Sequence, residues 1–252
     1  MFELIKTRWI QGFQTIKEIR TAIVHDKFRG FPELNAKLCI SCEKCEMVCP
    51  VKAIRSEILS LDMGKCLFCG DCERECSRGV IQFTNEYRLA ADQREKLIIE
   101  NNIKQKTWVK SAIKAKKEIK KLFGRSLKLR QVSSGGCNSC EMELNACSNV
   151  NFDMGRFGID IVASPRHADG LLITGPLTEN MEAALNDAYK GIPTPKIIIL
   201  AGSCAISGGL FEDLPSIRRQ FTQENPIDLY IPGCPVHPLT VINGLLDFLG
   251  RK

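Results

Sequence analysis

The chain has 252 residues, with 35 Lys and Arg against 29 Asp and Glu for a formal net charge of +6, and it is 44% hydrophobic. That apolar fraction excludes disorder, the lack of a matching repeat excludes a collagen or coiled-coil rod, and no apolar run approaches the roughly 20 residues needed to cross a bilayer. No unbroken apolar stretch follows Lys6 and Arg8 and no twin-Arg export signal is present, so the thirteen cysteines point to metal, not disulfides.

In chain order, Phe2, Ile5, Trp9, Phe13, Ile16, Ile19 and Ile23 form a stripe at helical spacing. It predicts a docking helix over residues 1–30, seated on another subunit or on the chain's own next domain.

Residues 31–90 contain the first cysteine set. Cys39-x2-Cys42-x2-Cys45-x3-Cys49-Pro50 recurs 27 residues later as Cys66-x2-Cys69-x2-Cys72-x3-Cys76. This is the bacterial ferredoxin run, in which the fourth cysteine of each motif serves the other cluster. Three thiolates within seven residues wrap three corners of an iron–sulfur cube, and the fourth corner is reached from across the domain. The expected ligand sets are Cys39, Cys42, Cys45 and Cys76 for one 4Fe–4S cluster, and Cys66, Cys69, Cys72 and Cys49 for the other. A pair of zinc sites is the competing reading, but zinc sites use separated Cys-x2-Cys pairs, which this run is not. Ser77 stands where such motifs usually have Pro, a change expected to alter the loop and not the ligation.

Residues 91–130 read as a basic helical linker. Between 104 and 130 stand eleven Lys and Arg against one acid, Glu118, so the rest of the chain is slightly acidic. Trp108, Ala112, Ala115, Ile119 and Leu122 recur at spacings of four and three, predicting one amphipathic helix. A solvated connector packing its stripe on a neighbour is the plainer reading. Contact with anionic lipid or an acidic partner is the sharper one, and no nucleic-acid motif accompanies the charge.

Residues 131–252 alternate β-branched runs, Gly/Pro turns and helical patterns. Ile159–Ala163, Gly170–Thr174, Lys196–Ala201 and Asp228–Ile231 predict buried parallel strands, with a helix over 179–190. Ligand sites in such sheets lie at the carboxyl ends of strands. Cys204 and Cys234 each follow a predicted strand closely, and Cys137-x2-Cys140 sits in a Gly-rich entry. Four cysteines from three distant loops thus converge on one sheet edge. The fold class is α/β: a bacterial-ferredoxin-like α+β domain followed by a flavodoxin-like parallel-sheet domain.

Two resemblances follow from these residues. Phe28-Arg29-Gly30 and Tyr87-Arg88-Leu89-Ala90, flanking the ferredoxin motifs, resemble the polyferredoxin subunits of complex I and of membrane-bound hydrogenases. Gly136-Cys137-Asn138-Ser139-Cys140-Glu141, Ala163-Ser164-Pro165-Arg166-His167-Ala168-Asp169, Ile173-Thr174-Gly175-Pro176, Gly202-Ser203-Cys204-Ala205-Ile206-Ser207-Gly208-Gly209 and Gly233-Cys234-Pro235 resemble the small subunit of NiFe hydrogenases and its complex I relative. Val236 departs from the second Pro common after Cys-Pro in that family. The Cys137-x2-Cys140 spacing is similar to the hydrogenase branch, since complex I small subunits carry adjacent cysteines there. A chain stopping at Lys252 fits the short form of the energy-converting (group 4) enzymes, here fused to a polyferredoxin.

The resemblance implies that Cys137, Cys140, Cys204 and Cys234 hold a proximal 4Fe–4S cluster, giving three clusters in all. With each at roughly −2, the loaded chain would be close to neutral. Cys147 is left over and reads as a buried thiol. His237 reads as a loop residue, with cluster contact as the sharper option, and His25 and His167 gain no metal role from spacing. Glu141 reads equally as an interface salt bridge or a proton relay. The implied function is an electron-transfer subunit. It would carry electrons between a ferredoxin or another donor subunit and the NiFe centre of a partner large subunit, in a complex with membrane subunits, on the cytoplasmic face of the cell membrane. No second Cys-x2-Cys pair near the C-terminus offers a nickel site, so no catalytic residue is assigned to this chain. A hydrogenase-derived or complex I-like quinone or sulfur reductase keeps the same wiring, and a non-redox zinc scaffold is the alternative of another class.

Overall fold

The computed structural model describes residues 2–101 and 103–251. Helix α1 (Phe2–Gln11) stops where Gly12 takes a left-handed backbone (φ 62°) and returns its amide to the Arg8 carbonyl at 2.9 Å, a glycine C-terminal cap. The apolar stripe is therefore not one helix. Phe2, Trp9, Phe13 and Ile23 stay exposed, whereas Ile19, in a short 3-10 turn (Ile19–Thr21), is buried. The Ile19 carbonyl accepts from Asn243 Nδ2 at 3.1 Å, and Arg20 pairs with Asp247 at 2.6 Å. The second part of the segment thus docks on the chain itself.

The ferredoxin-like half is built twice. Its first repeat holds β1 (Pro32–Leu34), α2 (Lys44–Met47) and β2 (Ile54–Arg55), and its second holds β3 (Ser60–Asp62), α3 (Asp71–Glu75) and β4 (Ile81–Phe83). Strands pair antiparallel across the repeats, β1 with β4 and β2 with β3. Leu34 stands opposite Ile81, and its equivalent 27 residues on, Leu61, stands opposite Ile54. Each repeat thus completes the other's hairpin, which carries the end of each cysteine motif across the domain.

This half continues past residue 90. Strand β5 (Ile98–Glu100) extends the sheet on β3, and α4 (Gln105–Ala112) packs Trp108 on Phe31 at 5.2 Å, with its indole N–H donating to the Lys96 carbonyl at 2.8 Å. The basic helix is also two helices. Asp92 ends α4 by donating its amide to the Ala112 carbonyl, and its carboxylate accepts the Lys114 amide at 2.9 Å, so the chain turns before α5 (Lys117–Phe123). Ala115 and Leu122 are exposed as a result, and Phe123 replaces Leu122 on the buried face beside Ile119.

The second half holds β6 (Leu127–Ser133), α6 (Ser139–Cys147), β7 (Ile159–Ile161), β8 (Gly170–Thr174), α7 (Glu179–Gly191), β9 (Ile197–Ala201), α8 (Ser203–Ser207), α9 (Gln220–Glu224), β10 (Leu229–Ile231) and α10 (Pro238–Phe248). The five strands are parallel in the order β10-β9-β8-β6-β7. Counted from β6 this is 2-1-3-4-5, the flavodoxin-like order, whose ligand crevice lies beyond the carboxyl ends of the strands. Strand β6 begins four residues ahead of the boundary read from the sequence. Its inward Leu127 and Leu129 alternate with Lys128 and Arg130, which hid it in the basic run.

The two halves share a core in which Phe31 and Leu61 join Leu171, Ile198 and Ile206. A bridge pairs Ala91 with Tyr230, and an ion pair joins Lys65 to Glu212 at 2.8 Å. No helix of the described residues is long and apolar enough to cross a membrane.

Candidate metal centres

The cysteine side chains fall into the sets that the crossed strands dictate. One cavity is lined by Cys39, Cys42, Cys45 and Cys76, and a separate one by Cys49, Cys66, Cys69 and Cys72. Cys49 and Cys76 have each crossed to the other repeat's triplet.

The loops obey the same 27-residue shift. Ser41 and Phe68 take left-handed backbones (φ 52° and 53°), as do Glu43 and Gly70 (φ 59° and 79°). These turns curl each triplet inward and free backbone amides to face sulfur. Ser41 N–H donates to Cys39 Sγ at 3.5 Å and Phe68 N–H to Cys66 Sγ at 3.3 Å. At the crossing cysteines, Ala53 N–H donates to Cys49 Sγ at 3.2 Å and Val80 N–H to Cys76 Sγ at 3.4 Å. The last pair corrects one expectation: Ser77 does not alter the loop but preserves the geometry Pro50 has in the first motif.

In the sheet half, Cys137 and Cys140 follow β6, Cys204 follows β9 and Cys234 follows β10, all at carboxyl ends. Asn138, left-handed at φ 63°, starts α6 and turns Cys140 inward. Gly202 is required to be glycine. Its φ is 94°, and a Cβ there would lie 2.7 Å from Cys140 Sγ, so the sulfur rests against the backbone next to Cys204.

Electrostatics report the same grouping. Burial pushes the Cys72 thiol up to about 12, with Cys49 and Cys69 adding to it, and raises Cys66 further, with Cys72, Cys49 and Cys69 adding. Cys45 is raised by burial and by Cys76 and Cys39. In the third set burial takes Cys140 to about 12 and Cys204 to about 11; the Val236 amide opposes the rise at Cys140, and neighbouring thiols enhance it at both. A proline at 236 could not supply that amide. Only Cys137 is lowered, by the Ser139 hydroxyl and amide. Thiols crowded this way repel one another as anions. A cationic iron–sulfur core would remove that penalty, so the donor sets fit a 4Fe–4S group. Among the described residues, no three His, Cys, Asp or Glu side chains close on a point suited to a single ion. The thiols of the first two sets instead ring cavities, as the corners of a cube require.

The second set adjoins both of the others. Cys45 lies within electrostatic reach of Cys72, joining the first set to the second. Cys69 and Cys234 line one shared cavity with Arg29 and His237, joining the second to the third. Cys42 of the first set and Cys137 and Cys234 of the third are exposed.

The remaining candidates have other work. Cys147 is fully buried on α6, raised to about 12 by burial, with Glu143 as its charged neighbour. His237 caps α10, its Nδ1 accepting the Leu239 amide at 3.2 Å, and its ring packs edge-on to Phe28. Glu141 turns toward the sheet, where it accepts from the buried Thr174 hydroxyl at 2.5 Å. Sequence reasoning missed Ser203, whose hydroxyl joins the two halves. Its only signal was its place beside Cys204.

Comparison with known proteins bears on both halves. Residues 31–86 match the 4Fe-4S dicluster domain, and residues 137–248 match the NADH ubiquinone oxidoreductase 20 Kd subunit. A probable membrane-bound hydrogenase subunit of Pyrococcus furiosus is 38% identical over 126 residues, 50% of this chain and 75% of that protein. The chain belongs to the 20 Kd subunit family. Formate hydrogenlyase subunit 7 of Escherichia coli is 43% identical over 135 residues, 54% of this chain and 53% of that protein, so about half of that relative is matched. An NADH-quinone oxidoreductase subunit of Heliobacterium modesticaldum is 40% identical over 119 residues, 47% of this chain and 68% of that protein. A chain of the membrane-bound sulfane sulfur reductase, an archaeal respiratory membrane complex, aligns with a TM-score of 0.44 at 31% identity, over 50% of this chain and 70% of that one. Membership of the 20 Kd family together with the dicluster domain makes this an iron–sulfur subunit of an oxidoreductase, and the Pyrococcus relative is a subunit of a membrane-bound hydrogenase.

Proposed function

We propose that the chain is the electron-transfer subunit of a membrane-bound NiFe hydrogenase complex and holds three 4Fe–4S clusters in series. When bound, each cluster supplies one-electron redox chemistry at a potential set by hydrogen bonds, burial and charge. Cys39, Cys42, Cys45 and Cys76 would hold the first, Cys49, Cys66, Cys69 and Cys72 the second, and Cys137, Cys140, Cys204 and Cys234 the third.

The observation that carries this reading is the division of the N-terminal cysteines between two cavities in the crossed pattern, with Cys69 and Cys234 sharing a third cavity. The exposed end at Cys42 is the entry for a ferredoxin or another donor subunit. The exposed end at Cys137 faces the partner large subunit, which keeps the catalytic metal. Membrane subunits hold the assembly on the cytoplasmic face of the membrane. The domain units are 1–30, 31–90, 91–130 and 131–252, with β5 and α4 packed on the second unit and the start of β6 serving the fourth. The test is hydrogen production by the purified complex with reduced ferredoxin as donor. Hydrogen isotope exchange should survive loss of the first cluster, while ferredoxin-linked production should not.

A second reading is supported by the 40% identity to the NADH-quinone oxidoreductase relative. It keeps the three sites and changes the acceptor to a quinone. A complex that reduces quinone and exchanges no hydrogen isotopes would favour it.

A further inference from the structure

The second and third cysteine sets meet at one hydroxyl. Ser203 is 1% exposed, and its Oγ donates to the Cys66 carbonyl at 2.7 Å, with the Gly233 carbonyl at 3.2 Å. Cys66 belongs to the second set, Gly233 precedes Cys234 of the third, and Ser203 itself precedes Cys204. One side chain therefore touches the backbone of both sets. The sheet side is fixed independently, because Ser203 N–H donates to the same Gly233 carbonyl at 2.9 Å and Gly202 N–H to Ile231 at 2.8 Å. Among the described residues, the ferredoxin side has no such backbone–backbone link to α8. Gly64 lies against Ile206, and Lys65 pairs with Glu212, but that ion pair is 30% and 42% exposed and holds weakly.

We infer that Ser203 is a positioning residue that fixes the second cysteine set against the third and thereby sets the coupling between the groups they hold. The inference rests on the three-site reading above. Without the hydroxyl, the Cys66 loop loses its buried hydrogen bond to α8 and keeps the apolar contact of Gly64 with Ile206 and the exposed pair at Lys65. The separation of the two sets then relaxes, while every thiol ligand remains.

The test uses the full chain, loaded with iron and sulfide under anaerobic conditions. Ser203→Ala should keep the wild-type iron content and the wild-type interaction between the first two clusters. Its magnetic interaction between the second and third clusters should weaken, and electron arrival at the third should slow on the order of tenfold, less than a 1 Å misplacement costs a catalytic group. Lys65→Ala, which breaks the exposed pair in the same seam, should leave both readouts unchanged. If Ser203→Ala does not load, Ser203→Thr and Ser203→Val decide, since they share a shape and differ by the hydroxyl. Thr should hold the interaction and Val should lose it. Unchanged coupling in a fully loaded Ser203→Ala, the same loss in Lys65→Ala, or identical behaviour of Thr and Val would overturn the inference. A wild-type chain holding fewer than three clusters would remove the three-site reading itself, and this inference with it.

Discussion

Replacing Gly202 with alanine should empty the third metal site and spare the other two. Gly202 has φ 94° and ψ 149°, a region essentially reserved to glycine, so alanine there costs about 1–3 kcal/mol in backbone strain alone. The new methyl would also stand 2.7 Å from Cys140 Sγ, where non-bonded atoms prefer roughly 3.5–4.0 Å. Cys140 must therefore retreat by about 1 Å, which a ligand to a rigid cube cannot do without losing its bond. The assay is iron content with electron paramagnetic resonance of the anaerobically reduced chain. About four of twelve irons should be lost, all from the third signal. Gly12→Ala is the control, since Gly12 also has positive φ but nothing lies within 4 Å of its added methyl; its cost is about 1–2 kcal/mol and its iron count should be unchanged. A Gly202→Ala chain with full iron and an undisturbed third signal would refute the argument that Cys140 binds metal against this backbone.

Three further outcomes are expected. Cys76→Ser should abolish the first cluster's signal and Cys49→Ser the second's, because each lines the cavity of the other repeat's triplet; the reverse pattern would show uncrossed ligation. Cys147→Ser should leave iron content unchanged, and Cys147 in the folded wild type should resist iodoacetamide, being fully buried with its thiol held up to about 12; rapid labelling at neutral pH would contradict this. Glu141→Gln keeps an acceptor for Thr174 but removes a negative charge that bears on Cys137, Cys140 and Cys204, so the third cluster's midpoint potential should rise by some tens of mV in a redox titration, and a fall would refute that sign.

The grouping of the first eight cysteines was legible in the sequence because the two motifs repeat one spacing, whereas the third set was reached through the resemblance. The amides that face the sulfurs follow the same 27-residue shift in the structure. Strands β8 and β9 were legible because burial on both faces leaves nearly unbroken apolar runs. Strand β6 was not, since its outward Lys128 and Arg130 merge with the lysines before them. The two broken helices escaped for a related reason. Periodicity registers which residues could share a face, while Gly12 and Asp92 decide where the helices stop, one through its backbone and the other through contacts distant in sequence. Ser203 escaped because its acceptor, the Cys66 carbonyl, lies 137 residues away. A hydroxyl beside a ligand carries no pattern until the halves are docked.

The most direct measurement is the iron, acid-labile sulfide and zinc content of the anaerobically purified chain, read with its visible absorbance before and after dithionite. A chain with three 4Fe–4S clusters should give about twelve iron and about twelve sulfide and a broad absorbance that bleaches on reduction. About eight of each would remove one of the three sites, and zinc in place of iron would rule out an electron-transfer role altogether.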